Sequence, residues 1–129
     1  MGRYFSSPTA QFCALALTIG LICFSGDVRC EEDGDRLFRT SCGICHTIQP
    51  GQNRVGPSLA GVVGRKAGTA PAFNYSDANK NSNVVWDEAQ LDQYLNDPKE
   101  FMPGTKMMYP GMKDPEKRKA LIAYLRDAK

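Results

Sequence analysis

Histidine is nearly absent from this chain. One residue in 129, His46, carries an imidazole. It stands directly after two cysteines, in SCGICHT at residues 41–47. A structural zinc site takes four ligands, mostly Cys and His. Beyond residue 30 the sequence offers two cysteines and this histidine, with no second cluster, so the ligand count excludes zinc. A strong charge bias is lacking as well. The 16 Lys+Arg and 14 Asp+Glu leave a net +2, which does not suggest nucleic acid. The apolar stretch FCALALTIGLICF, residues 12–24, has thirteen residues, against the roughly 20 that a membrane-spanning helix needs. Alternating apolar and polar segments are missing, which argues against a sheet. So are internal repeats and low-complexity tracts. Without a βαβ pattern, C-x-x-C is not read as a thiol oxidoreductase motif.

What is present begins with a leader. Arg3 precedes the apolar run, and the order of a positive residue and then a short uncharged stretch matches a secretory signal peptide over residues 1–30. Cleavage is expected after Ser25 or after Cys30. A buried core helix and an uncleaved anchor fit the charged flanks less well. Loss of Arg3, Arg29 and Asp27 lowers the net charge from +2 to +1 in a domain at residues 31–129. Cys13 and Cys23 go with the leader and Cys30 sits at its edge, so Cys42 and Cys45 remain. A disulfide between residues so close in sequence would close a tiny loop and stabilise little. A domain this small has a thin core, and a bound group is expected to supplement it.

The domain reads as all-α with long loops. Asp33 is placed as the cap of a short helix holding Leu37 and Phe38 and running into the cysteine pair. Residues 47–83 carry Pro50, Gly51, Gly56, Pro57, Gly61, Gly64, Gly68 and Pro71, which argue against long helices there. A loop region of that length implies something large for it to wrap. A second helix follows in DEAQLDQYLNDP, with Asp87 and Gln90 resembling a capping box, Leu91, Tyr94 and Leu95 on one face, and Pro98 as its limit. A third starts with Asp114 as N-cap and Pro115 at its first position, and its stripe is Leu121, Ile122, Tyr124 and Leu125. Lys117, Arg118 and Lys119 read as its solvated face.

C-x-x-C-H is the spacing of a c-type haem attachment site. Two thiols add across two vinyl groups, and the two-residue spacer lets one turn of backbone reach both. The histidine that follows then lies under the porphyrin, where its imidazole can bind iron. With no second histidine, the sixth position is left to methionine, lysine, water or nothing. Spacing alone does not choose among Met102, Met107, Met108 and Met112.

The segments GDRLF, CGICHT, VGPSLAGVVGRKAG, NYSDANKN, VVW, PGTKM and LIAYLR closely resemble, in order and spacing, the class I cytochromes c: mitochondrial cytochrome c and its small soluble bacterial relatives. The likeness runs over residues 34–125. It implies the cytochrome c fold, with three main helices, short helices and long loops around one covalent haem c. It implies that Cys42 and Cys45 hold the haem, that His46 and Met107 bind the iron, and that Met108 and Met112 only pack. Pro57 resembles the proline whose carbonyl accepts the imidazole N–H of His46. Tyr75 and Trp86 match residues that hold a haem propionate, with Arg65 near that charge. Asn79, Tyr94 and Thr105 match a polar network beside the distal ligand. Gly34, Phe38, Leu121 and Tyr124 match the packing of the first helix on the last.

The implied activity is one-electron transfer by a soluble, exported carrier, not an enzyme. The donor would be a cytochrome bc-type complex, and the acceptor an oxidase, a photosynthetic reaction centre or another reductase. Docking would use the haem edge, through Arg54, Lys99, Lys106 and Lys113, with association sensitive to salt. The carrier is expected to be a monomer. The leader favours a bacterial periplasm over a membrane anchor or a mitochondrial intermembrane space. A dedicated electron-entry subunit of one enzyme is an alternative. If Met107 does not bind iron, a peroxidase or gas sensor is another. The chain departs from the family pattern in two places. The loop from His46 to Pro57 is one residue shorter than in typical mitochondrial members and poorer in lysine, and Ser41 stands where many members carry lysine.

Overall fold

The computed structural model describes residues 27–129. The apolar run at residues 12–24 and the expected cleavage after Ser25 lie outside them. Five helices are present among the described residues: α1 (Asp27–Ser41), α2 (Asp77–Lys80), α3 (Glu88–Asn96), α4 (Pro98–Phe101) and α5 (Pro115–Asp127). The expected all-α fold holds, and α1, α3 and α5 are its three main helices.

The caps of α3 and α5 follow from local chemistry. Asp87 accepts the backbone N–H of Gln90, as half of a capping box. Asp114 accepts those of Glu116 and Lys117, with Pro115 at the first turn. Each satisfies an orphan donor, at about 1 kcal/mol. The expected cap at Asp33 is wrong. α1 runs straight through it, and Asp33 instead pairs with Arg36 at 2.9 Å, one turn on, as Asp35 pairs with Arg39 at 2.7 Å. Such pairs support a helix along its length instead of starting it. Pro98 ends α3 and also begins α4, for which Asp97 is the cap.

α1 crosses α5 at Gly34. A Cβ there would lie 2.5 Å from the Ala120 carbonyl oxygen and 2.6 Å from the Tyr124 Cβ, so only glycine allows this approach. One turn on, Phe38 packs its ring on Tyr124, with centroids 5.7 Å apart. Leu121, Ile122 and Leu125 of α5 complete a core with Phe38, Leu91, Tyr94, Leu95 and Trp86. Each such side chain contributes about 1.5–3 kcal/mol on burial. The expected solvated face of α5 is broken at one place: Arg118 is buried.

The region over 47–83 holds one short helix, α2, capped by Ser76. The rest is loop tied by specific bonds. Trp86 N–H donates to the Arg65 carbonyl (2.9 Å), Gly64 N–H to the Trp86 carbonyl (2.7 Å) and Ala67 N–H to the Val84 carbonyl (2.8 Å). These fix Trp86 against the core. Among the described residues the only β pairing is the isolated bridge of Lys66 with Val85.

Candidate haem site

The two cysteines sit where α1 ends. Cys42 and Gly43 N–H both donate to the Phe38 carbonyl, at 2.8 and 2.7 Å, and Cys45 and His46 N–H both donate to the Cys42 carbonyl, at 3.0 and 2.9 Å. The helix therefore closes into a tight turn that carries both thiols and the imidazole within five residues. Ile44, between the cysteines, points to water at 79% exposure.

Residues 54–57 run alongside this turn. Arg54 Nη1 donates to the Gly43 carbonyl (2.6 Å) and Gly56 N–H to the Cys45 carbonyl (2.8 Å). His46 Nδ1 lies 2.8 Å from the Pro57 carbonyl oxygen. A carbonyl only accepts, so Nδ1 carries the proton and Nε2 keeps its lone pair. Gly56 lies flat on the ring: a Cβ there would run into Cε1 and stand 2.6 Å from Nδ1. Burial pushes the imidazole below its ordinary pKa, and the Pro57 bond opposes this only in part. Burial, and then the neighbouring Cys45, push the Cys42 thiol up to about 11. The group set is thus two thiols, with Cys42 held protonated, and a neutral, oriented imidazole.

Met107 is half-buried, and the Tyr94 hydroxyl lies 3.8 Å from its Sδ. Tyr94 Oη is also 3.4 Å from Thr105 Oγ1, which accepts the Met107 N–H at 3.3 Å. With the phenol proton on sulfur, Thr105 donates to the phenol oxygen, and the chain of bonds runs one way. Burial holds the Tyr94 phenol above its ordinary pKa, against the Thr105 bond, so the donor persists through neutral pH. Asn79 is not joined to this group. Its Oδ1 accepts from Ser76 Oγ at 2.8 Å. Met112 is buried as expected for packing, whereas Met108 is not: it stands in water at 80% exposure.

Trp86 packs tilted against Tyr94, with centroids 4.8 Å apart, and Phe101 closes the cluster edge-on at 5.7 Å from Tyr94. The Tyr75 hydroxyl accepts the Ala70 N–H at 3.3 Å, so its own proton is left to donate. Arg65 braces a loop, with Nη1 on the Ala60 carbonyl and Nη2 on the Ser58 carbonyl, both at 3.0 Å. Its charge also acts on the Tyr75 phenol.

Comparison with known proteins decides what this arrangement is. The cytochrome c family profile matches residues 31–129. Cytochrome c2 of Rhodopila globiformis is 52% identical over 97 residues, covering 75% of this chain and 92% of that protein. Cytochrome c of Sesamum indicum is 47% identical over 104 residues, covering 80% and 91%. The structure of cytochrome cH from Methylobacterium extorquens superposes with a TM-score of 0.69 at 48% identity, covering 74% of this chain and 95% of that one. The chain belongs to the cytochrome c family. It carries one covalently attached haem c and works as a one-electron carrier between Fe(II) and Fe(III).

The residues present in this cytochrome fit that group. Sulfur and neutral imidazole are the donors a c-type haem uses. Gly56 leaves the ring of His46 the space a side chain would take. Among the described residues no cluster of three His, Cys, Asp or Glu could hold a bare metal ion. No described helix is long and apolar enough to cross a membrane. Sequence reasoning did not single out Gly56, Phe101 or Arg118 for the site. The first two become visible only when ring contacts are known. Arg118 hid within a run of surface-like charges.

Proposed function

We propose that this cytochrome is a periplasmic carrier that docks transiently with redox proteins, exchanges one electron and leaves. In this reading Cys42 and Cys45 would hold the haem through two thioethers, and His46 and Met107 would bind its iron. The observation that carries it is the single imidazole of the chain. It is placed after two thiols, with its proton fixed on Pro57 and its lone pair at Nε2. When bound, haem c supplies the one-electron Fe(III)/Fe(II) chemistry.

The chain's own residues do the rest. Pro57 holds the His46 ring in one tautomer and raises its basicity. The Met107 thioether is a soft ligand that favours the reduced state and raises the potential. Tyr94 and Thr105 orient that sulfur. Trp86 and Tyr75 have donors to offer a carboxylate, and Arg65 adds a positive field. Asn79 and Ser76 fix the backbone beside them. With His46 and Met107 both bound, the iron would keep no free position for a substrate, which supports a carrier over an enzyme. Transient docking by Lys99 and Lys106 suits an acidic surface on a cytochrome bc-type donor, or on an oxidase, reaction centre or reductase as acceptor. The leader supports export.

The test is an optical spectrum of the oxidised protein, made with haem-maturation machinery. The weak far-red charge-transfer band of methionine-ligated ferric haem is expected. Met107→Ala abolishes it and Met108→Ala leaves it. A high-spin spectrum without that band would overturn the closed-site reading and favour a peroxidase or gas sensor.

A further inference from the structure

Arg118 is the one charged side chain in the buried set of the described residues. All three of its guanidinium nitrogens donate. Nε and Nη2 fork onto the two carboxylate oxygens of Asp92 in α3, at 2.7 and 3.3 Å. Nη1 donates to the carbonyls of Met112 (2.8 Å) and Lys113 (3.0 Å), with Asn96 Oδ1 at 3.5 Å. The two carbonyls close the loop that leaves Met102 and carries Met107. Other bonds fix the same return. Met112 N–H donates to the Leu95 carbonyl at 2.7 Å. Gly111, at φ +98°, lies against the Asn96 carbonyl, which a Cβ would strike. At the loop's other end Thr105 N–H donates to the Met102 carbonyl at 3.0 Å. Between Thr105 and Gly111, Met107 packs against the core, and its polar contacts are with Thr105 and Tyr94. Tyr109, two residues on, bonds Ser41 and packs on the core as well. The reach of the Met107 side chain therefore depends on where the loop is tied down, and its return is tied by a buried charge.

We propose that Arg118 is a positioning residue for Met107. Through Asp92 on one side and the Met112 and Lys113 carbonyls on the other, it locks the loop's return onto α3 and keeps the thioether in place. The proposal rests on Met107 being the distal ligand. Removing the guanidinium leaves two carbonyls without a donor and Asp92 without its fork, which favours local opening of the loop over closure. A global loss of stability would open all parts of the molecule alike. The lock acts on this loop first.

The readout is the rate at which cyanide binds the ferric holoprotein, because cyanide enters only when methionine leaves. Arg118→Ala, Arg118→Lys and Asp92→Asn are compared with Leu125→Val, a core change near the far end of α5. All are brought to equal stability with guanidinium, and Met107→Ala marks the open limit. Arg118→Ala is expected to speed cyanide binding at least about tenfold at matched stability, equivalent to ~1.4 kcal/mol. Arg118→Lys should show less and Asp92→Asn an intermediate effect. If the Arg118 and Asp92 variants bind cyanide no faster than Leu125→Val, the residue only stabilises the fold and the proposal is overturned. If Arg118→Ala does not fold, Asp92→Asn decides by the same comparison. If Met107→Ala itself leaves the rate unchanged, the ligand assignment falls and takes the lock with it. If Met107→Ala accelerates binding and the lock variants do not, the lock alone is refuted.

Discussion

Gly56 shows how a residue without a side chain can be specific. The imidazole of His46 occupies the space where a Cβ would stand, and Pro57 next to it accepts the ring proton. Gly56→Ala is expected to push the ring off that carbonyl and to cost about 1–3 kcal/mol, the usual penalty of overpacking. Guanidinium unfolding gives the energy. Faster exchange of the Nδ1 proton by NMR would show that the ring, and not the loop alone, has moved. Unchanged exchange would mean that the loop absorbs the methyl. Neighbours in sequence also take opposite fates here. Met107 lies under Tyr94, while Met108 stands in water. From Thr105 to Pro110 half-buried and exposed residues alternate, and spacing could not say which of the two methionines faces in, because that register is set by where the loop is tied down.

Elements whose signals are local were legible. Asp87 and Asp114 cap α3 and α5 because an aspartate before an amphipathic run has few other uses. That α1 runs through Asp33 was not legible. Asp33 looks like a cap, yet Arg36 three residues on satisfies it within the helix. α4 was hidden by Pro98, read only as a stop. Asp97 in front of it does two jobs. It caps Glu100 N–H at 3.1 Å and takes the Lys113 ammonium at 3.2 Å. The Glu100 bond first, and Lys113 next, hold its carboxyl below the ordinary range. A depressed carboxyl stabilises the fold above its unfolded pKa, and that contribution fades as the pH drops through the folded value. Asp97→Ala should therefore lower the thermal midpoint at pH 7, with the difference shrinking as the pH falls below about 4. A difference constant with pH would assign the loss to something other than the carboxylate's charge.

Across the whole molecule, the sequence carried the fold class and the proximal group, through C-x-x-C-H and through likeness to a known family. It did not carry the through-space sets. Trp86, Tyr94 and Phe101 meet from three segments, and Arg118 meets Asp92 from two helices. Charge distribution is a whole-molecule property too. Of the four cations expected at the docking face, Lys113 is tied to Asp97 and Arg54 to the Gly43 carbonyl. Lys99 and Lys106 have no ion pair among the described residues. Association with an acidic redox partner should slow as salt rises, since exposed charges are screened beyond about 8 Å at physiological ionic strength. Lys106→Gln should flatten that dependence more than Lys113→Gln. Equal effects in stopped-flow rates would show that the Asp97 pairing does not mask Lys113. The crossing of the first helix on the last, at Gly34, sets a timetable for biogenesis. Its two halves, Gly34 and the Ala120–Tyr124 turn, lie far apart in sequence, so a growing chain cannot shut its core until both have been made. The cysteine turn, made before α5, stays open to a maturation enzyme until α5 arrives, and a chain cut short of α5 leaves α1 with nothing on which to close.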